Sequence, residues 1–597
     1  MSEKKQPPRR EQANPAFLWR TQDIFDGDEA FLQALEQLKS HTRELAAYQG
    51  KLKDPKTLLS CLKQMEQTQE LAGNVGSYAA LKSDQDTANP TYQGYVGLVS
   101  SAGVELSAAT AYFTPEILSL ADQIEQMMNA CPALALYRKY LDDILRQRAH
   151  ILPEREERLL SLSGEMADAA GEVFSMLNDA DLRFGEIEDE DGDMVALTHG
   201  RYIHFLESTD RRVRKDAFET LYRVYGQHSN TLASLLNAHE RKNKFYKQAR
   251  GYDSCLQMCL FENHIPESVY HSLIEAVHGA FPAFYDYMAL RRRALGLEQL
   301  HMYDLYVPVT DNPYKEVSYE QAWELVIEAL APLGEEYGAL LRRAKDEGWI
   351  DVYENEGKRS GAYSNGTPTC HPFVLLNHQD NLESAFTLAH ELGHALHSYF
   401  SNREQPPIYR GYSIFVAEVA STVNEALLLR HLERQAGEDR KKRAYLCNHA
   451  LEQFRATLFR QTMFAEFELQ THEIVEQGRS LTPELLDELY GSLCASYFGE
   501  DVALDPEIRK EWSRIPHFYY DFYVYQYATG FAAAQALSQR ILTEHGADDY
   551  LRFLSLGNRV PPLEALKVAG VDLTTPAPVT QALALFAQRV EELGRLL

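Results

Sequence analysis

A mainly α fold of more than one lobe is what this sequence predicts, on three observations. Long stretches repeat apolar residues at the 3.6-residue spacing of a helix, as in "DEAFLQALEQLKSHTRELAAYQ" (28–49). Short Pro, Gly and Asn signals such as "TANPTYQG" and "TDNPYKEVS" separate these stretches. Alternating, strand-like runs are sparse. At 597 residues the chain exceeds one simple core, and 45% apolar with 24% charged residues is the composition of a globular protein.

Residues 1–195 read as an N-terminal helical region ending in a β-hairpin, "FGEIEDEDGDMVALTH" (184–199), with an acidic turn between two short alternating runs. The turn resembles a calcium loop only superficially: Ile187 stands where an EF-hand needs its first Asp, so a solvated turn is expected. Residues 196–597 form the second region. There "GAYSNGTPTCHPFVLLNHQ" (361–379), Gly-punctuated and then apolar, is the other β candidate. No fixed-period repeat or low-complexity tract occurs beyond the polar start.

Charge excludes some functions. Asp plus Glu number 87 against 59 Lys plus Arg, a formal charge of −28 that repels nucleic acid and anionic membranes. No run of 18 apolar residues occurs and "MSEKKQPPRREQANP" has no apolar leader segment, so a cytoplasmic location is expected. Seven cysteines without a CxxC pair fit a reducing compartment, and Cys255 and Cys259 read as two small buried residues on one helix face.

"TLAHELGHALHSY" (387–399) carries the chemistry. In His-Glu-x-x-His, positions i and i+4 share one helical face about 6 Å apart along the axis, so the imidazoles of His390 and His394 can converge on one zinc ion. Glu391 then lies where a carboxylate can take a proton from an attacking water. The pattern alone is weak, and its surroundings strengthen it. Asp380 or Asn381 can cap the helix, Phe386, Leu388, Ala389 and Leu392 would dry the site, and Gly393 leaves one side bare for close approach by another group.

His397 is the tempting third ligand, but it lies about 10.5 Å along the axis from His390, whereas donors on one tetrahedral zinc are only about 3.4 Å apart. After the loop "SNREQPPIYRGYS", "IFVAEVASTVNEALLLRHLER" reads as a second helix able to return antiparallel to the first. Glu418 is assigned to the metal, with Glu404 in the Pro-Pro loop as its rival, and Glu425 is expected to orient a ligand imidazole through its other nitrogen or else to be an exposed charge.

These segments, together with "KFYKQARGYDSCLQMCLFENHIPESVY", "MYDLYVPV", "GKRSGAYSNGTPTCHPFVLLNH" and "FYVYQYATGFAAAQAL", resemble the oligoendopeptidase F branch of the thimet oligopeptidase-like zinc metallopeptidases, from about residue 200 to 537. The resemblance implies a two-lobed helical shell around a deep channel, with a small sheet beside the zinc helix. It also implies one zinc held by His390, His394 and Glu418, on helices 383–400 and 416–434, and cleavage of short peptides. It draws "HFYYDFYVYQYATG" (517–530), otherwise an aromatic core segment, into the site: His517, Tyr523 and Tyr527 match the family's oxyanion-binding histidine and tyrosines. Gly530 replaces a third tyrosine, so Tyr519 or Tyr520 can take over a role. "HPFVLLN" is expected either as a strand edge that pairs with an extended substrate or as an ordinary buried strand.

The expectation is therefore a cytoplasmic zinc oligoendopeptidase acting on short unstructured peptides, with neither nucleic acid nor membrane as partner. Its rivals are a zinc carboxypeptidase, for which Arg410 or Arg201 would receive the terminal carboxylate, and a non-catalytic peptide-binding protein with a structural metal.

Overall fold

The computed structural model describes residues 7–597, so Met1–Gln6 of the expected polar start lie outside the described residues. The chain divides into two compact units, each assembled from separated stretches. The first takes residues up to Ala149, Tyr314–His431 and Leu537–Val571; the second takes His150–Pro313, Leu432–Ala536 and Asp572–Leu597. The expected boundary at 195/196 lies within the second. Both are mainly helical with small sheets, and among the described residues no helix is long and apolar enough to cross a membrane.

In the first unit the helices Asp28–Ala46, Pro55–Gln85 and Pro90–Thr110 pack on one another around Phe31, Leu35, Val75 and Tyr78, with the Phe31 and Tyr78 rings stacked at 5.2 Å. The residues in front of the last two helices are their caps: Asp54 and Asn89 accept from the first-turn amides of Thr57 and Thr91. A three-stranded sheet lies beside the helix Leu382–Glu404. Its order places Phe373–Leu375 in the middle, parallel to Ile350–Asp351 and antiparallel to Tyr363–Asn365. The middle strand is buried at all three positions, as its unbroken apolar run demands when both faces and both edges are covered. So "HPFVLLN" is the buried strand and not an edge; the open edge belongs to Tyr363–Asn365.

One buried ion cluster fixes this sheet. Asp351, fully buried, receives Lys358 Nζ at 2.8 Å and a bidentate fork from Arg10, whose guanidinium also donates to Asn355 at 3.1 Å. The second unit packs long helices around Phe284, Phe459 and Phe586. Its hairpin pairs Glu186–Glu188 with Met194–Ala196, and the Asp189 carboxylate accepts from the amides of Asp191 and Asp193: a self-capped turn. All seven cysteines are free; Cys255 is buried and Cys259 partly so.

Two helices of the first unit meet backbone to backbone at Gly393, where a Cβ would meet the carbonyl oxygen of Ala420 and the Cα of Ser421 at 2.6 Å. Backbone cannot yield as a flexible side-chain tip can. Gly393→Ala should therefore push the helices apart and destabilise the protein by about 1–3 kcal/mol, read as a lowered denaturation midpoint, with weakened metal binding alongside. An unchanged midpoint would show that the contact is looser than it stands here.

Candidate active site

The helix Leu382–Glu404 starts where its sequence allows, with the Asn381 side chain accepting from the Ser384 amide; Asp380 sits before it in a left-handed conformation at φ 50°. Gly393 lets this helix lie directly on Ile414–Ala436, and Asn424 fastens the crossing by donating to the Ala389 carbonyl at 3.0 Å while its own oxygen takes the Tyr337 hydroxyl at 3.1 Å. Glu418 thereby faces the two histidines. His390 Nε2 lies 3.2 Å from His394 Nε2, and the Glu418 carboxylate lies 3.4 and 3.5 Å from the two nitrogens.

Three donors separated by 3.2–3.5 Å match the roughly 3.4 Å edges of a tetrahedral zinc shell. His390, His394 and Glu418 form the one three-donor cluster of this kind among the described residues. The electrostatics favour a cation at their centre. Burial alone would lower the His390 pKa, but Glu418 and Glu425 outweigh it and bring it up to about 10, the mark of a negative surrounding. The Glu418 carboxyl, although burial raises its pKa, is driven far below the usual carboxylate range by the same two imidazoles.

Around these donors the other expected residues fall as follows. Glu425 hydrogen-bonds His390 Nδ1, which leaves Nε2 turned toward Glu418. Glu391 is buried and outside the donor set; desolvation raises its carboxyl pKa above the ordinary carboxylate value. His397 is buried outside the donor set, stacked on Tyr412 at 3.7 Å, with burial pushing its pKa down to about 3. Glu404 closes the helix instead of lying in the loop, and is paired with Arg403. Arg410 is committed to Glu70 at 2.9 Å and to the carbonyls of Gln405 and Pro368, so it is poorly placed to receive a free carboxylate. Beside the histidine helix a recess of about 420 Å³ is lined by Ser364, Gly366, Ser398 and Tyr412, and Gly366 touches Ser398 so closely that a Cβ would clash at 2.6 Å.

His517, Tyr523 and Tyr527 come together in the second unit. Tyr527 Oη lies 3.5 Å from His517 Nε2, and the rings of His517, Tyr523 and Tyr527 stand 5.4–6.2 Å apart. Tyr519 is not available, being stacked on Phe174 at 4.4 Å; Tyr520 is 58% exposed beside His517.

A group the sequence did not disclose holds this segment. Asp521 and Phe522 are consecutive left-handed residues, φ 50° and 57°, a conformation that non-glycine residues adopt only under constraint. Asp521 takes His239 Nε2 and Asn243 Nδ2 at 2.6 Å each and Lys242 at 3.4 Å; the Phe522 amide donates to buried Glu468 at 2.6 Å. Asn243 also donates to His472 Nε2, whose Nδ1 donates to the Glu468 carbonyl.

The profile of Peptidase family M3 matches residues 204–585, and that of Oligopeptidase F matches residues 116–184. The chain is 44% identical over 596 residues to Oligopeptidase PepF of Bacillus subtilis (strain 168), covering 99% of this chain and 89% of that one. It is 38% identical to the Oligoendopeptidase F homolog of Lactococcus lactis subsp. lactis (strain IL1403), covering 98% of each. The crystal structure of oligoendopeptidase-F from Enterococcus faecium superposes with a TM-score of 0.75 at 41% identity, over 95% of this chain and 99% of that one.

Two expectations follow from this geometry. Glu418→Ala should lose bound metal, whereas His397→Ala should keep it, as read by metal analysis of the purified variants; the opposite pattern would return the third-ligand role to His397. His472 is kept neutral by burial, its pKa lowered to about 4 from an unfolded value near 6.5. A depressed histidine stabilises the fold above its unfolded pKa and loses that contribution as pH falls toward the folded one. Wild-type stability should therefore decline between about pH 6.5 and 4, by at most roughly 3 kcal/mol from this group. A His472→Gln variant whose acid profile kept the same slope would remove His472 from that role.

Proposed function

From the membership of this chain in peptidase family M3, a family of metallopeptidases, we propose that it is a zinc-dependent oligoendopeptidase that hydrolyses internal bonds of short unstructured peptides in the cytoplasm. The observation that carries the reading is the triangle of His390, His394 and Glu418, with a non-ligating, buried Glu391 next in sequence to the first histidine. One zinc ion held by the triangle would supply Lewis-acid polarisation of the scissile carbonyl and a lowered pKa for water.

The protein's own groups do the rest. Glu391, with its pKa raised by burial, accepts the proton of the attacking water and delivers it to the leaving amine. Glu425 fixes the His390 tautomer. The open edge at Tyr363–Asn365 and the adjoining recess suit an extended peptide backbone, which would add to the sheet by main-chain hydrogen bonds. Tyr527, with Tyr523 and His517 as its neighbours, is assigned the hydrogen bond to the oxyanion; this rests on the family resemblance and on the phenol–imidazole contact, since a phenol donates without itself carrying charge. The carboxypeptidase reading loses support from Arg410, whose guanidinium already serves Glu70.

Glu391→Ala should abolish hydrolysis of a test peptide while the purified protein keeps its metal, because the residue moves protons and binds no ion. Substantial remaining activity would refute the mechanism. Tyr527→Phe should lower kcat by about 10² with metal content unchanged, since only a hydrogen bond of the transition state is removed. An unaltered kcat would return Tyr527 to the aromatic core.

A further inference from the structure

The second unit contains an imbalance of charge that the peptidase reading does not use. Arg291 and Arg455 share the carboxylate of Glu452, at 2.7 Å each; Arg460 and Arg514 share that of Glu511, also at 2.7 Å each. Four guanidiniums thus face two carboxylates in a protein whose overall charge is −28. Asp304 offers no relief, because Arg211 and Arg214 already bind it. Unpaired buried charge is costly, and it is normally offset by a counter-ion or another hydrogen-bonding partner.

Both groups act on Tyr306. The Arg455 guanidinium carbon lies 4.7 Å from the centre of its ring. Burial would raise the Tyr306 pKa, yet Arg460, Arg455 and Arg514 together bring it below its ordinary value, which marks a positive potential at the hydroxyl. Arg455 and Arg460 are five residues apart, a spacing that an α-helix would place about 140° around its axis. The helix turns π over Phe454–Phe459, and a turn with i→i+5 bonding brings such residues back toward one face. Donors remain over. Arg455 Nη1, Arg460 Nε and Arg514 Nη1 have no hydrogen-bond partner among the described residues, and neither has the Tyr306 hydroxyl. Solvent reaches part of the cluster: Arg460 and Arg514 are each 17% exposed and Tyr306 is half-buried, while Arg455 is buried.

We propose that the arginine cluster around Tyr306 binds a singly charged anion, a carboxylate or a halide, through the spare donors of Arg455, Arg460 and Arg514 and the Tyr306 hydroxyl. Guanidinium forks and a phenol suit such an ion, which would offset part of the excess positive charge. The anion is either free in solution or the carboxylate end of a peptide; the chemistry is the same, and two arms of one experiment tell them apart.

In the first arm, full-length protein is melted in a chloride-free sulfonate buffer titrated with sodium chloride or sodium acetate at constant ionic strength, alongside Arg460→Gln and Tyr306→Phe. Arg460→Gln leaves Glu511 paired with Arg514 and Tyr490, so it removes excess charge without stranding an acid. The wild-type Tm should rise by a few degrees and saturate, Arg460→Gln should be flat, and Tyr306→Phe should need about tenfold more anion. In the second arm, KM is compared for one peptide as free acid and as C-terminal amide. A KM about tenfold higher for the amide in wild type, and equal values in Arg460→Gln, identifies a peptide terminus as the source; equal KM in wild type with a saturable Tm identifies a free anion. A Tm that follows ionic strength alone, alike in all three proteins, together with equal KM values, overturns the proposal. The thermal arm does not depend on the peptidase reading and stays readable if no activity is found. Should Arg460→Gln fail to fold, Tyr306→Phe decides alone.

Discussion

The contact on which the candidate metal centre depends carries no charge. At Gly393 two helices approach until backbone touches backbone, and only the missing side chain permits it. That approach turns the 35-residue separation of His390 and Glu425 into a hydrogen bond and brings Glu418 within 3.5 Å of both imidazoles. Asn424 then locks the crossing from its flank by bonding the Ala389 carbonyl. Metal sites reward donors already in place, because each side chain that must be ordered on binding subtracts from affinity. Here helix packing contributes to that ordering.

Negative charge is graded around this point. Glu418 is stripped of its proton by the imidazoles, while Glu391, one residue from His390, is pushed the other way by desolvation. Two carboxylates, Glu391 beside His390 and Glu418 on the adjoining helix, thus shift in opposite directions through their surroundings alone. The second unit uses a similar economy for conformation. Asp521 is held by His239, Asn243 and Lys242, and this keeps two left-handed residues in place just before Tyr523.

Much of the site was legible in the sequence because its logic is local. An i, i+4 pair of histidines, a cap at Asn381 and a bare Gly393 are all read from one helical period, and the next helix places Glu418 within 3.5 Å of both imidazoles and Glu425 on His390 Nδ1. The helical class followed from the same periodicity. Of the two readings of "HPFVLLN", the buried strand is the one the structure takes: Phe373, Val374 and Leu375 are apolar in succession because the strand is covered on every side. What stayed hidden depends on distant partners. Nothing near Asp521 announces His239, 282 positions earlier, and the sharing of Glu452 and Glu511 among four arginines spans from Arg291 to Arg514. Such pairings follow tertiary packing, which periodicity does not encode.

The ion cluster under the small sheet bears on how the protein can be handled. Arg10 reaches across 341 positions to Asp351, and Asp351 is buried without access to water. Shortening the chain past residue 10 would leave that carboxylate to Lys358 and the Trp19 amide, within the sheet that lies beside the histidine helix. Arg10, in a stretch polar and unremarkable in composition, behaves as a staple: an affinity handle joined close to it needs a spacer, and a protease that removes it would loosen the sheet beside the histidine helix.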